Sequence, residues 1–292
     1  MYRSLSPWLP DMRWLVLGAT GLLGPAFLTA IASRGELAIP AARSGASVAV
    51  DITDLNALGE CLEAWKPDGV INCAALADLT ACEKDPCAAY TVNARPLAVL
   101  AAWSNHNQRP LVHISTDQMM SGSGAFAQSE DTLASFPNEY ARSKYAGEAF
   151  ALTSPFALIA RTNIVGAAKG FGAQMLKALR EKEPLTLFDD YYTSPVHIGA
   201  MAEVTLRLSQ MGAHGVFNVA GSSVASKADF AMALAARLGI NCDWAGFASA
   251  TTIAPARNLG LGLNVAKAEN LLGQQMPDLA DCVDALAMEV GL

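Results

Sequence analysis

The chain has 292 residues, a hydrophobic share of 52 % and a formal net charge of -7. That length suits one large domain or two intimate ones. It buries roughly three quarters of its unfolded surface and needs no disulfide or metal staple. The apolar content excludes a disordered chain, and Lys and Arg scattered singly, with no basic stripe, argue against a nucleic-acid partner.

In chain order, residues 1–11 read as a loose leader, with Met12 as an alternative start. RWLVLGA (13–19) is a buried strand by its continuous apolar character. GPAFLTAIASRG (24–35) is a helix ended by Gly35, and ELAIPAA (36–42) is a second strand weakened by Pro40. SVAVDIT (47–53) is a short strand, LNALGECLEAWKP (55–67) a helix stopped by Pro67, and GVINCAA (69–75) a strand. CAAYTVNARPLAVLAAWSNHN (87–107) is a long helix interrupted near Pro96, followed by the strand PLVHISTD (110–117). NEYARSKYAGEAFALTS (138–154) is a helix and FALIART (156–162) a strand. Strand–helix–strand repetition at this spacing predicts an α/β fold, a doubly wound parallel sheet covered on both faces.

After Arg161 the alternation becomes irregular. GFGAQMLKALREKE (170–183) and SKADFAMALAARLGI (226–240) are helical by period, GVFNVAG (215–221) is a strand, and 245–263 reads as loop. The expected division is a dinucleotide-binding domain over 12–165, with a returning segment near 196–220. A smaller C-terminal substrate-binding lobe takes 166–195 and 221–292. The apolar stretch Trp14 to Ser33 has about the length of a membrane span, but Gly18, Gly21, Gly24 and Pro25 cut it, so no membrane partner is expected. The six cysteines form no C-x-x-C and no zinc spacing. They read as reduced thiols of a cytoplasmic protein, most of them small core residues, with no metal site.

GATGLLG places glycines at 18, 21 and 24 between the first strand and the first helix. A pyrophosphate there needs backbone without a Cβ and a helix N-terminus to supply N–H groups. The spacing G-x-x-G-x-x-G is one residue wider than the usual dinucleotide fingerprint, and the strand before and helix after supply its context. The alternative is a tight turn with no ligand. The second strand ends in Ala41, Ala42, Arg43 and Ser44 with no acid for a ribose 2′-hydroxyl, so Arg43 and Ser44 point to the 2′-phosphate of NADPH rather than to NADH. Asp51 and Ile52 either flank the adenine or are structural.

YARSKYAGE (140–148) puts Tyr140 and Lys144 within about 40° of one another on a helix, while Tyr145 points away and reads as packing. At ~6 Å and an effective dielectric of ~20, one ammonium favours a phenolate by roughly 2.8 kcal/mol, about two pKa units. That brings Tyr140 most of the way to a useful acid–base group. Alone, Tyr-x-x-x-Lys is common by chance. Here VHISTD ends a parallel strand at Ser115, Thr116 and Asp117, where ligands of such sheets bind. His113, inside that strand, reads as a packed core residue. No G-x-S-x-G nucleophile turn exists, which argues against a hydrolase.

The ordered trio of glycine turn, Ser/Thr at a strand end and Tyr-x-x-x-Lys resembles the short-chain dehydrogenase/reductase superfamily in its Rossmann form. GATGLLG, DITD (51–54), PDGVINCAALADLTACE (67–83), YTVNA (90–94), VHISTD, YARSKYAGE and ART (160–162) together look most like the extended branch and the dTDP-4-dehydrorhamnose reductase family. The resemblance is strongest from Met12 to about Val165. It implies that Thr116 binds the substrate carbonyl, that Tyr140 donates the proton, and that Lys144 holds the nicotinamide ribose and tunes the tyrosine. Cofactor contacts carry over to the turn Gly18, Thr20, Gly21, Leu22, Leu23 and Gly24, to Ala74 and Ala75, and to Asn93. Substrate contacts are expected at Thr116, Gln118, Asn163 and Arg257.

The family usually follows S-T-D with an aromatic pair, where this chain has Gln118, Met119 and Met120. It commonly carries Trp and Tyr after R-T, where this chain has Ile164 and Gly166. The implied activity is NADPH-dependent reduction of a nucleotide-activated 4-keto-6-deoxy sugar, with a homodimer plausible by family habit. The alternatives are a non-catalytic NADP-binding regulatory subunit and an extended-branch epimerase or dehydratase.

Overall fold

The computed structural model describes residues 12–291; the leader expected over 1–11 lies outside the described residues. Contacts divide the chain into two compact units. One takes in residues up to Ser115, Arg142–Ala160 and Ala202–Phe217; the other takes in Thr116–Ala141, Arg161–Met201 and Asn218 onward.

The first unit is a doubly wound sheet. Its strands are β1 (Arg13–Leu17), β2 (Leu37–Ala42), β3 (Val48–Ala49), β4 (Gly69–Asn72), β5 (Leu111–Ile114) and β6 (Ala157–Arg161), with Gly215–Asn218 beside β6. The order from that strand is β6, β5, β4, β1, β2, β3, and the pairings from β6 across to β3 are parallel. The order reverses between β1 and β4, the switch point at which such sheets bind ligands beyond their carboxyl ends. The apolar runs that predicted buried strands are core: Leu15, Leu17, Val70, Leu111 and Ile159 pack together with Leu97 and Leu100.

Helix α1 (Gly24–Ala32) follows the glycine turn, so the apolar stretch Trp14 to Ser33 is a strand, a turn and a helix. Among the described residues no helix is long and apolar enough to cross a membrane. Helix α2 (Leu55–Trp65) starts at Asp54, whose carboxylate accepts from Asn56 N–H and Ala57 N–H, a cap worth about 1 kcal/mol. It ends one residue before Lys66, which takes the left-handed conformation of a helix C-cap and donates its N–H to Leu62 O. The expected long helix over 87–107 is two, α4 (Pro86–Asn93) and α5 (Arg95–Asn107), preceded by a short α3 (Leu79–Lys84). The break falls at Ala94, since Pro96 is tolerated in the first turn of the helix that follows. Strand β3 is shorter than expected because the Asp51 carboxylate captures the Thr53 N–H and turns the chain.

The second unit is built on three helices, Phe171–Glu181, Lys227–Arg237 and Leu279–Glu289, that bury Met175, Leu179, Phe230, Leu234, Val283 and Leu286 against one another. The latter two open with capping boxes, Ser226 with Asp229 and Asp278 with Asp281. The region 245–263, read as loop, carries short strands: Gly246–Phe247 pairs Thr186–Leu187, and Gly260–Leu261 pairs Tyr192–Thr193. Helices Ile198–Gln210, Ala266–Leu272 and Leu279–Glu289 were not among the sequence expectations. Helix α6 (Glu139–Ala151) begins in the second unit and continues in the first.

Candidate active site

The first turn of the sheet is a cradle made by close backbone approach. Gly18 sits at φ +77°, and a Cβ there would lie 2.7 Å from Ala74 N. Its N–H donates to Ala41 O at 2.9 Å, and the Gly21 N–H donates to Gly18 O at 2.9 Å. No side chain caps the N-terminus of α1, which Gly24 opens with Pro25 in its first turn. Thr20 is exposed, Gly21 and Leu22 half-buried, and Leu23 buried. A dinucleotide diphosphate fits such a backbone: one wall where a Cβ cannot stand, and uncapped helix N–H groups beside it.

Arg43 and Ser44 are exposed at the end of β2, and Gly45 places this loop beside the turn, its Cβ position 3.5 Å from Thr20 Cγ2. Asp51 is exposed. Hydrogen bonds from the Thr53 N–H and hydroxyl hold its carboxyl below the usual range, with the Arg43 charge adding to them. Ile52 is buried in the core and Cys73, Ala74 and Ala75 follow β4. Asn93, expected near the cofactor, lies beneath the loop after β4. It is 0 % exposed, its Oδ1 accepts from Leu76 N–H at 2.8 Å, and its Nδ2 donates to Leu76 O and to Ser143 Oγ. Its amide ties the loop after β4 to α6.

Helix α6 carries Tyr140 half-buried and Lys144 buried, one turn apart. Gly147 lets the helix pack tightly, because a Cβ there would lie 2.4 Å from Asn93 O. Lys144 Nζ donates to Ile114 O at 2.6 Å, at the end of β5, and lies 3.3 Å from His113 Nε2. Burial pulls the Lys144 ammonium down to about 8, against the attraction of Glu148 and Cys73. Burial and the Lys144 charge hold His113 well below the ordinary imidazole range. Ser115 donates to Glu148 Oε1 at 2.5 Å. His113 is thus buried as expected, yet it is a neighbour of the candidate catalytic lysine. Tyr145, expected to pack, is 40 % exposed because it sits on the outer face of α6.

In the second unit the chain after β5 forms a buried polar cluster. Thr116 Oγ1 accepts from Gln118 N–H at 3.2 Å and donates to Asp117 Oδ1 at 3.4 Å. Asp117 also accepts from Gln118 Nε2 and, at 2.6 Å, from Asn163 Nδ2. Burial pushes its carboxyl up to about 6, against the pull of Lys227 and these hydrogen bonds. Gln118 Nε2 continues to Tyr191 Oη at 3.4 Å. Asn163, expected to touch substrate, therefore braces Asp117. Met119 and Met120, where the resemblance led to an aromatic pair being expected, are fully buried.

Next to this cluster lies a cavity of about 520 Å³ lined by Phe171, Phe188, Tyr191, Lys227, Ile253 and Arg257. The Lys227 ammonium stands 4.1 Å from the Phe171 ring centroid and 5.5 Å from that of Tyr191. Among the described residues no carboxylate is within ion-pair distance of it, and burial brings it down to about 8 against the attraction of Asp117. Two cations and aromatic faces suit an anion joined to a flat ring. Lys227 and Tyr191 were not among the predicted site residues. Their only sequence signal was a Ser-Lys at a helix start and a pair of tyrosines after two acids.

The RmlD substrate binding domain family matches residues 12–287. A protein of Haloferax volcanii named "Probable low-salt glycan biosynthesis reductase" is 31% identical over 295 residues, covering 94% of this chain and 97% of that one. The dTDP-4-keto-6-deoxy-D-glucose reductase of Streptomyces niveus is 29% identical over 75% of this chain and 76% of its own. Among solved structures, the dTDP-4-dehydrorhamnose reductase of Bacillus anthracis in complex with NADP superposes with a TM-score of 0.86. It is 24% identical and covers 96% of this chain and 98% of that one. The chain therefore belongs to the RmlD substrate binding domain family, within the extended short-chain dehydrogenase/reductases, and is an NAD(P)-dependent oxidoreductase of that family.

Proposed function

We propose that this chain reduces the keto group of a nucleotide-activated 4-keto-6-deoxy sugar. NADPH, when bound, supplies the hydride. Thr116 and Tyr140 hydrogen-bond the carbonyl oxygen as it gains charge, and Tyr140 delivers the proton. Lys144, one helical turn on, lowers the cost of leaving Tyr140 as phenolate and holds the cofactor ribose. Gly18, Gly21 and the start of α1 hold the diphosphate, and Arg43 with Ser44 faces the 2′-phosphate. The NADP held by the Bacillus anthracis relative and the reductase names of the Haloferax and Streptomyces relatives support this assignment.

Lys227, Arg257 and the rings of Phe171, Phe188 and Tyr191 receive the nucleoside diphosphate of the substrate. The observation that carries the proposal is the pair on α6: a half-buried tyrosine one turn from a buried lysine anchored to the end of β5. NADPH and NADH oxidation measured against a panel of nucleotide 4-keto sugars tests it. Turnover with NADPH on a 4-keto-6-deoxy sugar is expected. Cofactor binding with no turnover on any keto sugar would instead leave a regulatory, non-catalytic role.

A further inference from the structure

Lys144 is held by a device that the roles above do not use. Asn72, His113 and Lys144 are each exposed by 2 % or less and lie in a line within the first unit. Asn72 Oδ1 accepts from Ala74 N–H at 3.2 Å. That bond fixes the amide, because turning it over would set NH2 against N–H. The Asn72 Nδ2 group therefore faces His113 Nδ1, 3.4 Å away. An NH2 group only donates, so Nδ1 is the accepting nitrogen and the proton of the neutral imidazole sits on Nε2.

That N–H points at Lys144 Nζ, 3.3 Å away, while Nζ donates to Ile114 O. A neutral amine completes this arrangement, because its lone pair accepts from Nε2–H. An ammonium has no lone pair and would oppose N–H to N–H in a site shut off from water. Moving the imidazole proton to Nδ1 transfers the same clash to Asn72 Nδ2.

We propose that the Asn72–His113 pair is a positioning device that favours the uncharged form of Lys144 and so sets the pH at which the charge one turn from Tyr140 is lost. The other groups facing the amine are Cys73, from the segment after β4, and Glu148, from the next turn of α6. Both favour the ammonium, and Glu148 is partly occupied by the Ser115 hydroxyl. The lowered proton affinities of Lys144 and His113 run in the direction the geometry requires.

The device rests on the reading of Lys144 as the tuning cation of Tyr140, but its first test needs no turnover. Nitrogen-15 NMR of histidine-labelled protein without substrate reads the tautomer. The chain has 4 histidines, and loss of one signal pair in His113→Gln assigns the fourth. A protonated Nε2 and a bare Nδ1 on His113 are expected; a proton on Nδ1 overturns the proposal. In the second test, glutamine at 113 can turn its carbonyl oxygen toward the ammonium. The alkaline limb of NADPH oxidation is then expected to move up by roughly one pH unit. A limb that stays in place in a folded His113→Gln protein overturns the proposal as well. Should that variant not fold, substituting His106, His197 and His214 one at a time assigns their signals, and the wild-type tautomer of the remaining His113 decides. A wild-type chain without turnover would count against the reductase assignment and leave the tautomer result standing.

Discussion

Lys144 makes stability depend on pH in a direction that can be worked out beforehand. Its ordinary value of 10.5 falls to about 8 in the folded chain, chiefly through burial. Between those two values the unfolded chain holds more protons than the folded one, so stability rises with pH across that window. The size follows from the shift: roughly 3 kcal/mol is withheld below pH ~8 and returned above pH ~10.5. Lys144→Met keeps most of the apolar stem and removes the titrating amine. Its absolute effect mixes lost packing with the lost bond to Ile114 O, but only the amine contributes the pH-dependent part. His113 is held well below its usual range and stays neutral throughout, so it adds nothing there. Urea unfolding of both proteins from about pH 7 to 11, extrapolated linearly, gives the difference profile. Wild-type stability is expected to gain roughly 3 kcal/mol on the variant across that range. A flat or falling difference would mean that the ammonium is not desolvated as described.

Gly18→Ala forces a left-handed conformation on a side-chain residue and drives a Cβ to 2.7 Å from Ala74 N. The conformation alone costs about 1–2 kcal/mol, so a lower denaturation midpoint and no calorimetric NADPH binding are expected; a variant that binds as wild type would exclude this turn as the cradle. Arg43→Ala removes a charge-assisted bond of about 1.5–3 kcal/mol, so KM for NADPH should rise roughly ten- to hundredfold while that for NADH hardly moves. An unchanged ratio would separate Arg43 from the 2′-phosphate. Lys227→Met should raise KM for the nucleotide sugar about tenfold or more and leave KM for NADPH alone; equal effects on both would remove Lys227 from the substrate pocket.

Much of the first unit was legible because its signals are local. Trp14 to Leu17 read as a buried strand and are one, and Gly18 marked a turn that admits no Cβ. Pro40 was a reason to doubt β2, yet it lies in register with Val16 inside the sheet, since one missing donor is outweighed by the burial of its neighbours. Beyond Arg161 every strand but Gly215–Asn218 shrinks to two or three residues, too short for any period to show. The site was legible where residues four apart share a helix face, as Tyr140 and Lys144 do. It was not where partners are distant in sequence. Asp117 meets the field of Lys227 across more than a hundred residues, and the His113 contact with Lys144 joins a strand interior to a helix. The motif that singled out Asn93 likewise gave no sign that its amide holds the loop at Leu76.

The assignment turns on the phenol of Tyr140. Tyr140→Phe removes one oxygen and leaves the helix, so turnover and cofactor binding can be measured on the same protein. With a nucleotide 4-keto-6-deoxy sugar and saturating NADPH, kcat should fall by about 10²–10⁴ while the affinity for NADPH stays within a few fold. A phenylalanine variant that turns over at the wild-type kcat would contradict proton delivery by Tyr140.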